Sequence, residues 1–272
     1  MADSYFGNVQ VLASLDGSLN DMSPRSQTLT SVSTILSTSV INYYPYSTFF
    51  DGTSSYINID GYVSIPADFT IEAWVYPTSV AAGWGGIYNC HGTTDIGLYR
   101  YGAAIVWYDG SNRVITSNIS VNTWYHIAVV RASNVIQIFI NGSVSGGSYS
   151  SFTDYSATTH RIGADGNLNE KFAGYISDVR VTEGVARYTT SFTPPQKFGI
   201  TLSGKVTDYN SSSQVRTVRA YPRSSGYPCF ETISNTEGLW YMDIPDVEVY
   251  VVALDDDSGL VQNALIQDRI NG

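Results

Sequence analysis

Residues 84–109 concentrate side chains that could bind a sugar. An aromatic ring can lie against the apolar face of a pyranose ring, while Asp and Asn side chains hydrogen-bond the hydroxyls. Trp84 and Tyr101 are the strongest candidates for such a contact. The full set is Trp84, Tyr88, His91, Tyr99, Tyr101, Trp107, Tyr108 and Asp109. The alternative is that these residues form sheet core and cross-strand pairs, since most of the 21 Tyr in the chain must be structural.

A second stretch, residues 164–170, places several oxygen donors in one turn, as a hard cation such as calcium prefers. The predicted metal ligands are Asp165, Asn167 and Asn169, and calcium is the one cofactor that the sequence suggests. The alternative is a plain turn in which short Asp and Asn side chains cap their own backbone. The acidic run at 255–257 is a weaker calcium candidate, with a solvated loop as its alternative.

The composition indicates a β protein that avoids polyanions. Aromatic residues make up 13% of the 272 residues and charged residues only 14%, so Ser, Thr, Asn, Gly and Tyr must supply much of the polar surface. The net charge of −10 disfavours nucleic acid and anionic membrane surfaces as partners. No apolar run is long enough to span a bilayer, so we expect no membrane insertion.

The elements that must carry these side chains are strands. Residues 69–76 alternate apolar and polar side chains before Pro77, and residues 124–131 form another strand. Residues 135–140 run into Asn141-Gly142, a strong hairpin signal because both positions tolerate a positive φ. Residues 172–181 form a later strand. No window shows clean helical periodicity.

A domain boundary is expected near the double proline at 194–195, because proline cannot donate to a β-ladder. After it come short strand-like segments at near-even spacing: 200–208, 215–222, 230–234, 238–244 and 247–254. We predict two domains, 1–198 and 199–272.

Several motifs in order resemble laminin-G-like, concanavalin A-type jelly rolls. Residues 50–57 (Phe-Asp-Gly-Thr-Ser-Ser-Tyr-Ile) and 69–75 resemble the start of that fold. Residues 124–130 with 139–142 resemble its central hairpin, and 172–181 its closing strand. The resemblance covers about residues 8–198. It implies an all-β fold: an antiparallel jelly-roll β-sandwich, here followed by a small immunoglobulin-like β-sandwich.

The acidic residues do not follow the pattern of a concanavalin-type glucanase, which carries several carboxylates on one strand face as Glu-x-Asp-x-x-Glu or a close variant. A glycosidase needs two carboxyl groups about 5–10 Å apart. Of the six Glu, Glu72 is alone on its strand, and Asp178 and Glu183 straddle a strand end. His91, His126 and His160 are predicted to be structural. We therefore predict no catalytic residues and no enzymatic activity.

A further resemblance narrows the context. Residues 184–188 (Gly-Val-Ala-Arg-Tyr) and 192–195 (Phe-Thr-Pro-Pro) resemble the tail of such domains in bacteriophage virion proteins. The C-terminal segments 202–206, 217–221, 250–255 and 263–269 resemble an immunoglobulin-like module, akin to carboxypeptidase regulatory domains, that is also frequent there.

The resemblance implies a virion structural protein, either a capsid decoration or a tail or baseplate component. Its lectin-like domain would bind host-surface glycans or neighbouring subunits. The N-terminus shows no signal-peptide pattern, so we expect a virion protein made in the host cytoplasm. Other virion proteins would be its partners, and a homo-oligomer is expected. The alternative is a carbohydrate-binding module or adhesin whose main role is glycan recognition, with a polysaccharide-degrading enzyme as a weaker third.

Overall fold

The computed structural model describes residues 3–17, 19–81, 83–91, 95–208, 210–223, 230–245, 248–254 and 265–267. The chain forms two compact units. The larger is Gly7–Lys197, and the smaller is Phe198–Gly272 together with Met1–Phe6. The predicted division lies after residue 198. A 3₁₀ turn, Phe6–Asn8, is the one helical element in the described ranges, so the all-β prediction is confirmed.

The described residues of the larger unit form fifteen strands. They are β1 (Val9–Ala13), β2 (Thr28–Val32), β3 (Ile35–Ser37), β4 (Ser47–Asp51), β5 (Tyr56–Val63), β6 (Phe69–Pro77), β7 (Trp84–His91), β8 (Ile96–Tyr101), β9 (Ala104–Asp109), β10 (Asn112–Asn118), β11 (Tyr125–Ala132), β12 (Val135–Ile140), β13 (Ser143–Ser150), β14 (Ala157–Ile162) and β15 (Ala173–Glu183).

These strands build two antiparallel sheets. One has the order β13-β12-β11-β6-β15-β4-β3, with β1 also paired to β15. The other has the order β10-β9-β8-β7-β14-β5-β2. Neighbours such as β14 and β7 are far apart in sequence, which is the topology of a jelly-roll sandwich. This part of the fold prediction is confirmed.

The four predicted strands are present with small shifts at their ends, as β6, β11, β12 and β15. The hairpin between β12 and β13 turns at Asn141 and Gly142, whose φ angles of 48° and 80° lie in the left-handed region. That geometry is why the Asn-Gly pair predicts the turn correctly.

The core of the larger unit is formed by apolar side chains on the facing surfaces of its sheets, because alternate residues of a strand point to opposite faces. Phe69 and Val75 of β6 contribute from one sheet. Leu98 of β8 and Trp107 of β9 contribute from the other. On β8 and β9, the residues next to Leu98 and Trp107 in sequence therefore point away from this core.

The smaller unit is also antiparallel β. Its strands are β16 (Gly199–Lys205), β17 (Thr217–Pro222), β18 (Phe230–Ile233), β19 (Leu239–Pro245), β20 (Val249–Ala253) and β21 (Leu265–Gln267). β16 pairs with β19, and a four-stranded sheet has the order β18-β17-β20-β21. The immunoglobulin-like identity of this unit stays a prediction. The acidic run at 255–257 lies outside the described residues.

Candidate functional site

A cavity of about 250 Å³ opens on the seven-stranded sheet, on the face that points away from the core. We call it the Trp84 pocket. Its lining residues are Trp84, Asp95, Tyr99, Tyr108, Asp165, Asn169 and Glu170. The pocket thus unites the two segments that the sequence marked separately, the aromatic stretch at 84–109 and the oxygen-rich turn at 164–170.

Trp84 is the centre of the pocket's aromatic wall. It begins β7 and pairs with Tyr101 of β8, and the two ring centroids lie 4.5 Å apart. Tyr99, two residues earlier on β8, meets Trp84 edge to face at 5.6 Å, and Tyr108 of β9 meets it at 5.4 Å. Tyr101 is 44% exposed, so this cluster presents an aromatic surface to solvent beside the cavity.

Tyr99 supplies the most deeply buried hydroxyl of this wall. Its oxygen accepts a 2.6 Å hydrogen bond from Nδ2 of Asn89, a fully buried residue of β7. Burial raises the pKa of Tyr99 well above its usual value, and the charges of Asp95 and Asp165 raise it further. A tyrosine hydroxyl is protonated at neutral pH, so this one can donate to a ligand oxygen.

The opposite wall is a turn held by two carboxylates, one within the turn and one from the residue before β8. Oδ1 of Asp165 accepts from the backbone N–H groups of Asn169 at 2.7 Å and Glu170 at 2.9 Å. Asp95, just before β8, accepts from the N–H of Gly166 at 3.1 Å and from Nδ2 of Asn167 at 2.8 Å. These bonds fix the turn against the sheet without any added group.

Gly86 of β7 explains why the turn can lie so close to Trp84. A Cβ atom at this position would come within 2.3 Å of the backbone carbon of Ala164. The Gly86 N–H instead donates to the carbonyl of Glu170 at 3.1 Å, and Gly86 forms a parallel bridge with Lys171. Only a residue without a side chain allows this approach.

Two of the predicted calcium ligands, Asp165 and Asn167, take part in hydrogen bonds that hold the turn. Asp165 caps its own turn, and Asn167 donates to a neighbouring carboxylate. Within the described ranges no group of three or more His, Cys, Asp or Glu side chains could hold a metal ion. The residues fit the self-capping turn better than a metal centre, so the function proposed below uses no metal.

Three predicted sugar-binding residues lie away from the Trp84 pocket. Trp107 is fully buried between the sheets against Phe69 and Tyr155, so it has no face to offer a ligand. Tyr88 is 1% exposed, and its hydroxyl is hydrogen-bonded to Nδ1 of His160 at 2.9 Å.

Asp109 points to the core side as well, where its Oδ2 accepts from the Tyr155 hydroxyl at 2.9 Å. Strand parity explains these corrections, because Tyr108 and Trp107 are neighbours on β9 and must point to opposite faces.

The sequence reasoning missed two lining residues, Asp95 and Glu170. Asp95 lies inside the marked aromatic stretch but was not selected, since an isolated Asp in a loop gives no signal of its own. Glu170 ends the oxygen-rich turn, and its place in the cavity depends on how that turn folds onto β7. The side chain of His91 lies outside the described part of the molecule.

Glu72, at the centre of the other sheet, is saturated with partners. Its Oε1 is 2.7 Å from Nη2 of Arg180, and its Oε2 is 3.1 Å from Nε2 of His126 and accepts from the Tyr188 hydroxyl at 2.8 Å. Glu72 and His126 are fully buried. Such a carboxylate cannot reach a substrate, and its contacts join β6, β11 and β15 to the segment that follows β15.

Comparison with known proteins identifies the family. Residues 51–187 match the laminin G family described as the concanavalin A-like lectin/glucanases superfamily. The chain belongs to this superfamily. No curated protein matches this sequence.

This concanavalin A-like chain is similar to several solved structures. The receptor-binding domain of botulinum neurotoxin type G is 14% identical, with a TM-score of 0.53, and the match covers 97% of this chain and 80% of that one. A structure of botulinum neurotoxin type C, a toxin whose cell entry depends on interaction with two ganglioside molecules, is 9% identical with a TM-score of 0.51. The match covers 98% of this chain and 80% of that one.

Domain 4 of an extracellular arabinanase from Geobacillus stearothermophilus, in complex with arabinotriose, is 19% identical with a TM-score of 0.49, covering 65% and 93%. At these identities the likeness to the two neurotoxin structures shows the fold alone. No helix among the described residues of this lectin-like chain is long and apolar enough to cross a membrane.

Proposed function

We propose that this lectin-like chain binds a glycan in the Trp84 pocket and does not cleave it. The observation that carries the proposal is the pairing, in one cavity, of an aromatic wall with a wall of oxygen acceptors. This is the combination that a sugar requires, because its ring has an apolar face and its rim carries hydroxyl donors.

The pocket has room for one sugar residue. Its volume of about 250 Å³ lies just below the roughly 300–1,000 Å³ of sites for drug-sized ligands. The ring would lie against Trp84 and Tyr108 while its hydroxyls donate to Glu170 and Asp165. The adjacent, exposed ring of Tyr101 extends the aromatic surface for a second residue of the same glycan.

The proposal of binding without hydrolysis is supported by the state of the carboxylates. A glycosidase needs one carboxyl group as acid and a second as base or nucleophile. Both oxygens of Asp95 and Oδ1 of Asp165 accept hydrogen bonds from the turn itself. They hold the pocket's wall in place, which is a binding role.

A glycan array followed by calorimetry with the best ligand tests the binding. Trp84→Ala should weaken that affinity by at least ~10-fold, equivalent to about 1.4 kcal/mol. Tyr62→Ala is the matched control, because Tyr62 is an exposed aromatic on β5 of the same sheet, outside the pocket. Tyr108→Leu provides a second pocket variant in case Trp84→Ala unfolds.

An array without any bound glycan would remove the proposed function, as would equal losses of affinity in Trp84→Ala and Tyr62→Ala. Release of reducing sugar from the bound glycan would show that the chain is an enzyme and would contradict the second half of the proposal.

Placement in a bacteriophage virion is a second, separate proposal, supported by the resemblance of residues 184–188 and 192–195 to virion proteins. On this proposal the glycan would be on the host surface, and other virion proteins and further copies of the chain would be its partners. Mass spectrometry of purified particles tests it, and particles that lack the chain would contradict it.

A further inference from the structure

The Trp84 pocket has an unbalanced charge. Three carboxylates, Asp95, Asp165 and Glu170, line it, and among the residues that the structure describes no basic side chain does. Among the described residues none of the three takes part in an ion pair. Residues 92–94, outside the described part of the chain, are Gly-Thr-Thr and carry no charge. An anionic ligand entering this cavity would therefore meet like charges.

The basic side chains nearby donate hydrogen bonds to backbone carbonyls. Arg100, whose charge interacts favourably with Glu170, donates to main-chain carbonyls at 2.8–3.5 Å. Arg161 and Lys171 donate to carbonyls within the 164–171 loop. These cations are not among the lining residues, so the charged side chains of the lining that a ligand would contact directly are carboxylates.

The aromatic wall has the same preference as the carboxylates. The faces of Trp and Tyr rings carry negative potential and attract ammonium groups within about 6 Å. Trp84, Tyr99 and Tyr108 meet mainly edge to face, at 5.4–6.1 Å, which leaves ring faces turned toward different sides of the cluster. The carboxylate charges reach this wall, since Asp95 and Asp165 both act on the Tyr99 hydroxyl.

We infer that the Trp84 pocket selects glycans that carry an ammonium group, such as de-N-acetylated amino sugars, over neutral and acidic glycans. The inference rests on the proposed function, because it names the class of glycan that the same pocket binds. An amino sugar would place its ring against Trp84 and its ammonium group among the carboxylates. A quaternary ammonium substituent on a glycan offers the same chemistry.

Calorimetric titration of the full chain tests this selectivity with four probes at equal ionic strength. They are a glucosamine tetramer, its N-acetylated counterpart, a galacturonic acid tetramer and choline chloride. The free-amine tetramer should bind at least ~10-fold more tightly than the acetylated one. This preference should shrink as salt is added. If choline chloride also binds, the ammonium group by itself accounts for the selectivity. If the glucosamine tetramer binds and choline does not, the selectivity requires the sugar ring that carries the ammonium group.

A charge-only variant separates this preference from shape. Glu170 makes its hydrogen bonds through its backbone, so Glu170→Gln removes the charge with little change in the turn. It should weaken binding of the glucosamine tetramer about fivefold more than binding of the acetylated tetramer, because both keep a hydroxyl acceptor at this position but only the free amine loses an ionic attraction. Glu237→Gln, an exposed acid in the smaller unit, is the control.

The outcomes distinguish the two proposals. If neutral tetramers bind as tightly as the free amine, or if Glu170→Gln leaves the ratio unchanged, the selectivity is wrong while glycan binding stands. If an array and all four probes show no binding, both fail.

Discussion

The N–H of Gly86 donates to the carbonyl of Glu170 across 3.1 Å, and these two residues set the distance between the walls of the Trp84 pocket. Gly86 lies two residues after Trp84 on β7, and Glu170 ends the turn that carries Asp165. The contact joins positions 84 residues apart in sequence. Any side chain at position 86 would push the acidic turn away from the aromatic wall.

Gly86→Ala should therefore lower both stability and ligand binding. Its Cβ would clash with the backbone of Ala164, and such overpacking costs about 1–3 kcal/mol. Urea unfolding measures the loss. Gly147→Ala on the edge strand β13 is the matched control, because a Cβ there meets nothing within 4 Å. Equal stability of the two variants would contradict the close approach.

Substitutions of Trp107 and Tyr101 should distinguish a residue of the core, which affects stability, from a residue beside the pocket, which affects binding. Trp107→Ala should cost about 3–5 kcal/mol, because it empties a large volume in the core. Tyr101→Ala should change stability by less than about 1 kcal/mol and yet weaken glycan binding, since its ring is exposed beside Trp84. Chemical unfolding and calorimetry on both variants check this pair. A stable Trp107→Ala protein with impaired binding would reverse the assignment.

Glu72 should make the larger unit sensitive to acid. Burial alone would raise the pKa of Glu72, but the charge of Arg180 and the hydrogen bond and charge of His126 outweigh it and lower the pKa to about 2. A carboxyl group with a lowered folded-state pKa stabilises the protein above its unfolded value of 4.5. This contribution, on the order of 3 kcal/mol, is lost as the pH falls from about 4.5 toward 2.

Glu72→Gln should remove that acid sensitivity and cost about 3–5 kcal/mol at neutral pH, because Arg180 stays buried without its partner charge. Urea unfolding of the variant and of the parent chain, from about pH 2.5 to about pH 7, covers roughly the range in which Glu72 titrates. Glu237→Gln serves as the exposed control. An unchanged slope of stability against pH in Glu72→Gln would show that another group is responsible.

Calcium should have little effect on the pocket turn, because Asp165 already caps it. Thermal unfolding with millimolar calcium and with a chelator should give midpoints within about 1 °C of each other. Asp165→Ala should cost about 1–3 kcal/mol in either condition, since two backbone donors lose their acceptor. A calcium-dependent rise in the midpoint that Asp165→Ala abolishes would restore the metal site predicted from the sequence.

The local patterns of the sequence were enough for four strands of the larger unit, and the order of its motifs was enough for the family resemblance. Alternation of apolar and polar residues predicted β6, and β-branched or apolar segments predicted β11, β12 and β15, because both signals are properties of each strand by itself. Asn141-Gly142 predicted a turn for the same reason, since its left-handed φ angles are a local requirement. The two stretches that line the pocket were also visible, one by its aromatic residues and the other by its oxygen donors.

Tertiary structure alone decided which of those residues meet. β14 inserts beside β7 in the sheet, so the turn after β14 arrives next to Trp84, and no local pattern encodes that pairing. The tertiary structure also decided to which face of the sheet each aromatic side chain points, placing Tyr108 in the pocket and Trp107 in the core. The sequence thus determined which aromatic and acidic side chains were available. The pairing of distant strands determined which of them meet, because the backbone hydrogen bonds that pair two strands are the same whatever their separation in sequence.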